Sequence, residues 1–405
     1  MGRDFRRLFT GTAVSALGSE ISELALPLLA ILTFHATAEQ VGVLRAAQFL
    51  PFLLCTLYAG VLVDRMRRRP LMVAADLGRF VVLGAVPLLG WAGLHRMEPL
   101  YVLVFLAGVG TVVHQLADQA YLPTLVDRDR LLTANGRIAA AQSGAELSGQ
   151  GIGGLLVAWL TAPVAVAVDA LSYLVSAFAV AGIRTPEPKP VRHHATPLRR
   201  ELFEGLRHLA GSRLLRPLVG EAATYNVAYQ VFSLGLLLWL ARDLRLSPVV
   251  IGVVLGLAAA GALAGALTGA RLSARYGFGR TMLVTMAIGN SAPLLLFAAP
   301  GGGTGVAVLV GAVFIVAGFG TALANVHNRS LRQSAVPDEI RGRVTAAYRL
   351  VSWGTLPLGS LAGGFLATEL GAYGACLAGA AGIAAATLWV ALSPIPRLRE
   401  TPAYV

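Results

Sequence analysis

Charged residues are scarce in this chain. Of its 405 residues only 13% are charged, whereas 56% are hydrophobic, and the mean hydropathy is +0.68. A soluble protein of this size would have too little polar surface to cover such an apolar core. The composition therefore excludes an ordinary soluble domain and predicts a chain with many membrane-spanning segments.

Lysine and cysteine are almost absent. Lysine occurs once, at Lys189, so arginine carries nearly all of the net charge of +12. In a soluble protein this charge would suggest nucleic acid, but in an apolar chain basic residues anchor cytoplasmic loops to the anionic membrane leaflet, so we expect no nucleic-acid partner. The two cysteines, Cys55 and Cys376, lie inside apolar runs and are expected to be buried free thiols, with no metal site.

Long apolar runs make up most of the chain. A membrane helix needs roughly 20 apolar residues, and twelve runs of about that size are separated by charges or by Gly/Pro clusters. The predicted spans are 9–34, 41–63, 71–93, 99–123, 134–160, 162–183, 214–240, 247–272, 280–299, 304–328, 343–368 and 371–393. The sequence thus predicts an all-α polytopic membrane protein with twelve transmembrane helices.

The basic residues lie mainly in alternate connecting segments. The other set of connections holds only Arg96, Arg242 and Arg245. Because cytoplasmic loops carry the excess of lysine and arginine in membrane proteins, this asymmetry predicts that both termini are cytoplasmic. The bias to arginine, alanine and glycine is typical of a GC-rich bacterial genome, so we expect a multi-pass protein of the bacterial cytoplasmic membrane.

One long hydrophilic stretch divides the chain. It begins with Pro186 and Pro188, and it continues with leucines at helical spacing over 198–209. We predict an N-terminal six-helix bundle over 1–183, a cytoplasmic linker over 184–213, a C-terminal six-helix bundle over 214–393 and a cytoplasmic tail over 394–405. The linker is expected to contain an amphipathic helix that lies on the inner membrane surface.

The two halves repeat each other. Three glycines of predicted helix five have counterparts in helix eleven at one constant offset. They are Gly149, Gly153 and Gly154, which match Gly359, Gly363 and Gly364. Such small residues let membrane helices pack closely, either as sliding surfaces or as plain tight packing. Two similar six-helix halves in parallel orientation are the architecture of secondary transporters.

A charged loop joins predicted helices two and three. Five of the six residues from Asp64 to Arg69 are charged, and Gly60 precedes them by one turn. Between two membrane-length apolar runs, such a loop must lie at the water interface, and one interpretation is that it serves only as a topological anchor. The alternative is a gate in which Asp64 meets a helix N-terminus or an arginine of the opposite half.

The spacing Gly60-x-x-x-Asp64-Arg65-x-x-Arg68-Arg69 resembles the signature loop of the major facilitator superfamily, although Arg67 stands where that pattern usually has glycine. Residues 149–154 resemble the Gly-Pro-x-x-Gly-Gly motif of antiporters in the superfamily, with Gln150 in place of proline. More narrowly, several stretches resemble the branch of bacterial macrolide-efflux proteins and enterobactin exporters. They are residues 25–29, 45–53, 64–79, 121–127, 342–346 and 357–359.

The resemblance implies two pseudo-symmetric six-helix bundles and a gating role for the charged loop. The implied gating set is Gly60, Asp64, Arg65, Arg68, Arg69, Asp76 and Arg79. The last two lie one turn into helix three, where an ion pair within the helix would support the gate. In the second half Ser273 stands at the position of Asp64, so any gate is expected to be asymmetric. Arg68 and Arg69 could also pair with lipid phosphates.

Carboxylates inside the predicted helices are functional candidates, because a charge near the bilayer centre costs at least ~3 kcal/mol on insertion scales. Burial away from water favours the neutral form of a carboxyl group, which lets it carry a proton near neutral pH. The candidates for proton coupling are Glu20, Glu23, Asp118 and Glu146. The alternative for each is a buried link to one of the four arginines within helices. They are Arg45, Arg79, Arg137 and Arg349.

Helices one, four, seven and ten usually line the cavity in the family, which points to a further set of polar and aromatic residues. The substrate-cavity candidates are His114, Gln115, Gln119, Glu221, Tyr225, Asn226, Gln230, Asn325, His327 and Trp353. The sequence contains no paired nucleophile and base with convincing spacing, no P-loop and no metal cluster. We therefore predict a protein that is not an enzyme and needs no cofactor.

The function implied by the resemblance is export of a hydrophobic or amphipathic small molecule, such as an antibiotic, a siderophore or another secondary metabolite. Alternating access driven by proton antiport is the expected mechanism. The expected partners are the small-molecule substrate, protons and membrane lipids, and the chain is expected to be a monomer. Two alternatives remain open, which are an uptake or lipid-translocating transporter of the same fold and a membrane sensor or scaffold without transport.

Overall fold

The computed structural model of the chain describes residues 2–91, 93, 96–187, 198–299 and 303–400. These residues are almost entirely helical, and no strand occurs among them. The helices are α1 (Arg3–Leu32), α2 (Ala38–Leu54), α3 (Thr56–Arg65), α4 (Arg68–Trp91), α5 (Met97–Leu125), α6 (Leu131–Trp159), α7 (Ala162–Ala181), α8 (Leu198–Gly211), α9 (Leu215–Leu238), α10 (Pro248–Gly256), α11 (Ala258–Tyr276), α12 (Phe278–Ser291), α13 (Thr304–Ser334), α14 (Asp338–Gly354) and α15 (Leu356–Ala391).

Several predicted spans are broken helices. The predicted span 41–63 consists of α2 and α3, which are bent by 54° at a break after Pro51. The predicted boundary between the last two spans lies inside α15, where Gly371 has a φ of +75°. Glycine adopts this conformation at little cost, so the chain can turn there. Among the described residues, eight helices are long and apolar enough to cross a membrane, or nine with the bent pair. The count of twelve stays a prediction.

Packing divides the chain into two compact units. The first contains residues 1–194 and Ser247–Val253, and the second contains residues 195–246 and 254–405. In the first unit α7 packs against α1 and α4, and its core includes the fully buried Phe5, Met72 and Tyr121. In the second unit α9 packs against α15, and α13 packs against α11 and α12.

The amphipathic helix of the linker, α8, packs on protein. Its side chains Leu202, Leu206 and Leu209 join a core cluster of the second unit, next to α14. Glu204 also accepts a hydrogen bond from Nη1 of Arg343 at 2.8 Å. Protein therefore covers part of the apolar stripe of α8, and its expected position on the membrane surface stays a prediction. An apolar stripe does not reveal whether lipid or protein will cover it, because both remove the same area from water.

Candidate functional site

A cluster of polar side chains lies in the core of the first unit, where α1, α4, α5 and α7 meet. We call it the first-unit polar cluster. Its members are Ser19, Asp76, Arg79, His114, Asp118, Asp169, Ser172 and Tyr173. Burying polar and charged groups costs free energy of folding unless they form hydrogen bonds or ion pairs. The partners of each side chain therefore decide what chemistry this cluster can support.

Asp76 is one of two fully buried carboxyl groups of the cluster, with Asp169. Its side chain is 0% exposed, and its Oδ1 accepts a hydrogen bond from Nη2 of Arg79, one turn along α4. Nδ1 of His114 lies 2.9 Å from the same oxygen. The guanidinium of Arg79 also lies over the ring of Tyr173, 4.0 Å from its centre. The sequence predicts Asp76 and Arg79 as support for the gate, and the structure joins them to His114, a predicted cavity residue.

Asp118 lies one turn after His114 on α5. Its Oδ1 is buried and has no hydrogen-bond partner among the described residues, and its electrostatic neighbours are His114 and Asp76. A buried oxygen without a donor calls for a proton, a water molecule or a ligand. Gln115 and Gln119, on the same helix, are exposed.

Sequence reasoning gives Tyr173 no role, yet α7 brings both Tyr173 and Asp169 into the cluster. Ser172 donates a hydrogen bond to Oδ1 of Asp169 at 3.2 Å, and the Tyr173 hydroxyl lies 2.8 Å from Oγ of Ser19. Gly18 of α1 makes this approach possible, because a Cβ there would meet the Cβ of Ser172 at 2.7 Å. The detectable signal is a row of serines and an aspartate at helical spacing on α7, opposite a glycine on α1.

The two glutamates of α1 have different surroundings. Glu23 accepts hydrogen bonds from Arg45 and, at 2.8 Å, from Nε2 of Gln48. Glu20 has no hydrogen-bond or ion-pair partner in the part of the chain that the structure describes, and its electrostatic neighbours are the carboxylates of Glu23 and Glu146. Glu146 lies on the exposed side of α6. Glu23 is therefore engaged by a cation, the guanidinium of Arg45.

The predicted cavity residues of α9 are held in the interior of the second unit. Glu221 is buried. The rings of Tyr225 and Tyr229 stack with their centres 5.8 Å apart, and Asn226 donates to the carbonyl oxygen of Ser352 at 2.6 Å. Gln230 is buried against Gly359. None of these predicted residues lines the apolar groove of about 490 Å³ between α9 and α15, whose walls are small side chains.

The predicted candidates near the end of α13 divide into engaged and exposed residues. Nε2 of His327 lies 2.8 Å from Oγ of Ser273, and its Nδ1 lies 2.7 Å from the carbonyl oxygen of Leu323. Both nitrogens are therefore occupied by protein groups, which suits a structural role better than substrate binding. Ser273, the counterpart of Asp64, serves as one of these partners. Asn325 is exposed, and so is Trp353 on the neighbouring helix α14.

The gating loop is joined to the linker. Oε1 and Oε2 of Glu187 accept hydrogen bonds from the backbone N–H groups of Arg68 and Arg69 at 2.6 and 3.2 Å. Glu187 thereby caps the N-terminus of α4, where a negative charge is favourable. The guanidinium of Arg69 donates to the carbonyl oxygen of Ala181. Asp64 is exposed.

The other two members of the predicted gating set are Gly60, which is half-buried, and Arg65, which is exposed. Sequence reasoning offers Arg68 and Arg69 to lipid phosphates, and it gives Glu187 no role. The protein contacts described for both arginines lie within the first unit.

The predicted packing glycines lie at close helix contacts within each unit. A Cβ at Gly149 would collide with Glu20, and one at Gly153 would meet the backbone of Ile21 at 3.2 Å. Gly154 packs on Gly252, and the part of α10 that contains Gly252 belongs to the first unit. In the second unit Gly359 lies against Val227, Gly363 against Val231, and Gly364 is buried.

A family model described as "Transmembrane secretion effector" matches residues 2–403. The chain belongs to this family. It is therefore a transporter of the major facilitator superfamily, as the sequence motifs predict, and the expectation that it is not an enzyme is confirmed by the family.

Two curated relatives are efflux proteins. The multidrug efflux pump Tap of Mycobacterium tuberculosis is 30% identical over 227 residues, which are 54% of this chain and 53% of the pump. Macrolide efflux protein A of Streptococcus pyogenes is 27% identical over 235 residues, 56% of each chain. The matches thus span about half the length of these relatives.

The fold is shared with solved transporters. A crystal structure of a bacterial homologue of the iron transporter ferroportin, in the inward-facing state, matches with a TM-score of 0.77 and 16% identity. The match covers 96% of this chain and 98% of the homologue. The predicted fold class, an all-α protein of the major facilitator fold, is thereby confirmed. Within the described residues, no group of His, Cys, Asp and Glu side chains is arranged to hold a metal ion.

Proposed function

We propose that this chain exports a hydrophobic or amphipathic small molecule, such as an antibiotic, a siderophore or another secondary metabolite, by alternating access. The proposal is supported by the family and by two relatives whose names describe efflux of drugs and macrolides. It places the chain in the bacterial cytoplasmic membrane with both termini in the cytoplasm, which accords with the distribution of arginine among the loops.

We further propose that outward transport of substrate is coupled to inward movement of protons, and that Glu20 carries the coupling proton. The observation that carries this step is the absence of a cationic partner for Glu20 among the described residues, while Glu23 is held by Arg45. A carboxylate that lies beside other carboxylates, away from water, gains free energy by taking up a proton. Substrate or a conformational change can then displace that proton.

The position of Glu20 also connects it to helix packing. Its Cβ lies against Gly149 of α6, so a change in the contact between α1 and α6 alters the space around the carboxyl group. Asp118 is the second candidate within the same unit, because its buried Oδ1 has no donor. The electrostatic neighbours of Asp118 are His114 and Asp76.

The function is tested by expressing the chain in cells that lack their own drug pumps. Intracellular accumulation of a panel of macrolides and other amphipathic compounds is measured with and without a protonophore. We expect expression to lower accumulation of at least one compound and the protonophore to abolish the effect. Raised accumulation would overturn export in favour of uptake, and an effect insensitive to the protonophore would overturn proton coupling.

The role of Glu20 is tested in proteoliposomes with an imposed pH gradient. For Glu20→Gln we expect transport of the compound identified above to lose its dependence on the gradient. The matched control is Glu369→Gln, because Glu369 is an exposed glutamate on α15, and its removal should leave the dependence unchanged. If Glu20→Gln retains full coupling, Glu20 is not the proton carrier.

A further inference from the structure

A group of three arginines lies at the contact between α13 and α14 in the second unit. Arg329 and Arg332 belong to the last turns of α13, and Arg349 belongs to α14. The three are close enough for their positive charges to repel one another. Arginines crowded in this way need a negative partner to offset their repulsion.

Aromatic rings support two of the three guanidinium groups. Cζ of Arg332 lies 3.7 Å from the centre of the Tyr348 ring, and Cζ of Arg349 lies 5.8 Å from the centre of the Trp353 ring. The Tyr348 hydroxyl donates a hydrogen bond to Oδ1 of Asn328 at 3.4 Å, which orients the ring. Stacking on an aromatic face holds a guanidinium in place and leaves its N–H groups free to donate at the edge.

The donors of this arginine group are not used by the protein groups that the structure describes. Nε of Arg332 is buried without a hydrogen-bond partner, although the rest of its side chain is half-buried. Arg329 and Arg349 are exposed. Glu221 lies within electrostatic range of Tyr348, but neither Arg332 nor Arg349 has it among its neighbours. The positive charge is thus unbalanced on the described surface.

An unpaired arginine in a membrane helix does not face hydrocarbon, because a charge there costs about 3 kcal/mol or more. The exposed Arg349, three turns into α14, must therefore face water or a ligand. Guanidinium groups bind carboxylate and phosphate through pairs of parallel hydrogen bonds. We propose that Arg329, Arg332 and Arg349 form a binding site for an organic oxyanion, a carboxylate or phosphate group carried on an apolar body.

Such an anion has two possible sources. It is either the acidic group of a soluble amphipathic molecule or the phosphate of an anionic lipid headgroup. Tyr348 and Trp353 favour an apolar or aromatic body beside the anionic group in both cases. The proposal concerns binding at equilibrium, so its test does not depend on the direction of transport or on proton coupling.

The soluble source is tested by calorimetric titration of the purified full-length chain in a neutral detergent. The probe is 1-naphthyl phosphate, and 1-naphthol provides the same ring without the anion. We expect the phosphate to bind at least tenfold more tightly than the alcohol and to lose affinity as salt is added. This comparison uses the unaltered chain, so it does not depend on whether a variant folds.

The lipid source is tested by native mass spectrometry after extraction from nanodiscs that contain phosphatidylcholine and phosphatidylglycerol. Selective retention of phosphatidylglycerol supports a headgroup as the occupant. For Arg332→Gln and Arg349→Gln we expect roughly tenfold weaker binding or loss of the retained lipid, because a charge-assisted hydrogen bond is removed. Arg332→Lys should retain part of the affinity, since the charge remains.

The matched control is Arg275→Gln. Arg275 also lies over a tyrosine ring in the second unit, with Cζ 5.4 Å from the centre of Tyr276, but it is not a member of the arginine group. The Arg275→Gln variant should bind both probes as tightly as the unaltered chain does. The proposal is overturned if neither probe distinguishes the anion from its neutral counterpart, or if Arg275→Gln weakens binding as much as Arg332→Gln.

Discussion

Replacement of Asp76 by asparagine leaves the guanidinium of Arg79 in the core of the first unit beside a neutral amide. Removal of one partner from a buried ion pair costs about 3–5 kcal/mol, because the other charge is left uncompensated. The face of Tyr173, 4.0 Å from the guanidinium, retains an attraction on the order of 1 kcal/mol. The carboxyl group of Asp169 also remains an electrostatic neighbour of Arg79. We therefore expect Asp76→Asn to cost less than the full loss of a buried partner and to lower the free energy of unfolding by about 2–4 kcal/mol.

The assay is unfolding of the purified chain in mixed micelles, followed by circular dichroism and tryptophan fluorescence. Asp76→Asn, Arg79→Gln and the double variant form a cycle that isolates the energy of the pair. The double variant should be destabilised by less than the sum of the single variants, because it leaves neither charge alone. The exposed Glu369→Gln serves as the control. A loss below about 1 kcal/mol for Asp76→Asn, the range of exposed pairs, would refute the reasoning.

Two further predictions concern helix contacts and capping. Gly149→Ala should reduce both thermal stability and transport, because the added Cβ would collide with Glu20. Gly151→Ala on the same helix has open space around it and should be neutral or slightly stabilising. Equal effects of the two substitutions would contradict the packing argument. Glu187→Gln should lower stability by about 1 kcal/mol, because the amide keeps one acceptor oxygen but loses the second and the negative charge at the N-terminus of α4. The measurement is the midpoint of thermal unfolding. Glu204→Gln, which removes an exposed ion pair, should change this midpoint less.

The course of the helices was largely predictable from residue pattern. Apolar runs of membrane length predict the spans, because a bilayer accepts little else. The breaks within these helices were harder to predict from the sequence. The break between α2 and α3 falls inside one apolar run, where Pro51 precedes it. A proline within a helix can bend it or be tolerated, and neighbouring helices decide which.

The candidate site was predicted in part. Membrane carboxylates stand out in a sequence with so few charges, so Glu20, Glu23 and Asp118 could be identified from the sequence. Their interaction partners could not. Arg45 and Gln48 lie on a different helix from Glu23, and no local spacing shows that these side chains meet. Tyr173 becomes a partner of Arg79 only because α4 and α7 pack together.

By itself, the sequence determined that this chain is helical, that it spans a membrane several times, and that it belongs to the major facilitator superfamily. These properties follow from hydropathy and from short motifs, which act locally along the chain. The tertiary structure alone decided which buried charges have partners, and that the apolar face of α8 packs against α14. The energy of a buried charge depends on groups far apart in sequence, so only the packed helices reveal that Glu23 is held and Glu20 is not.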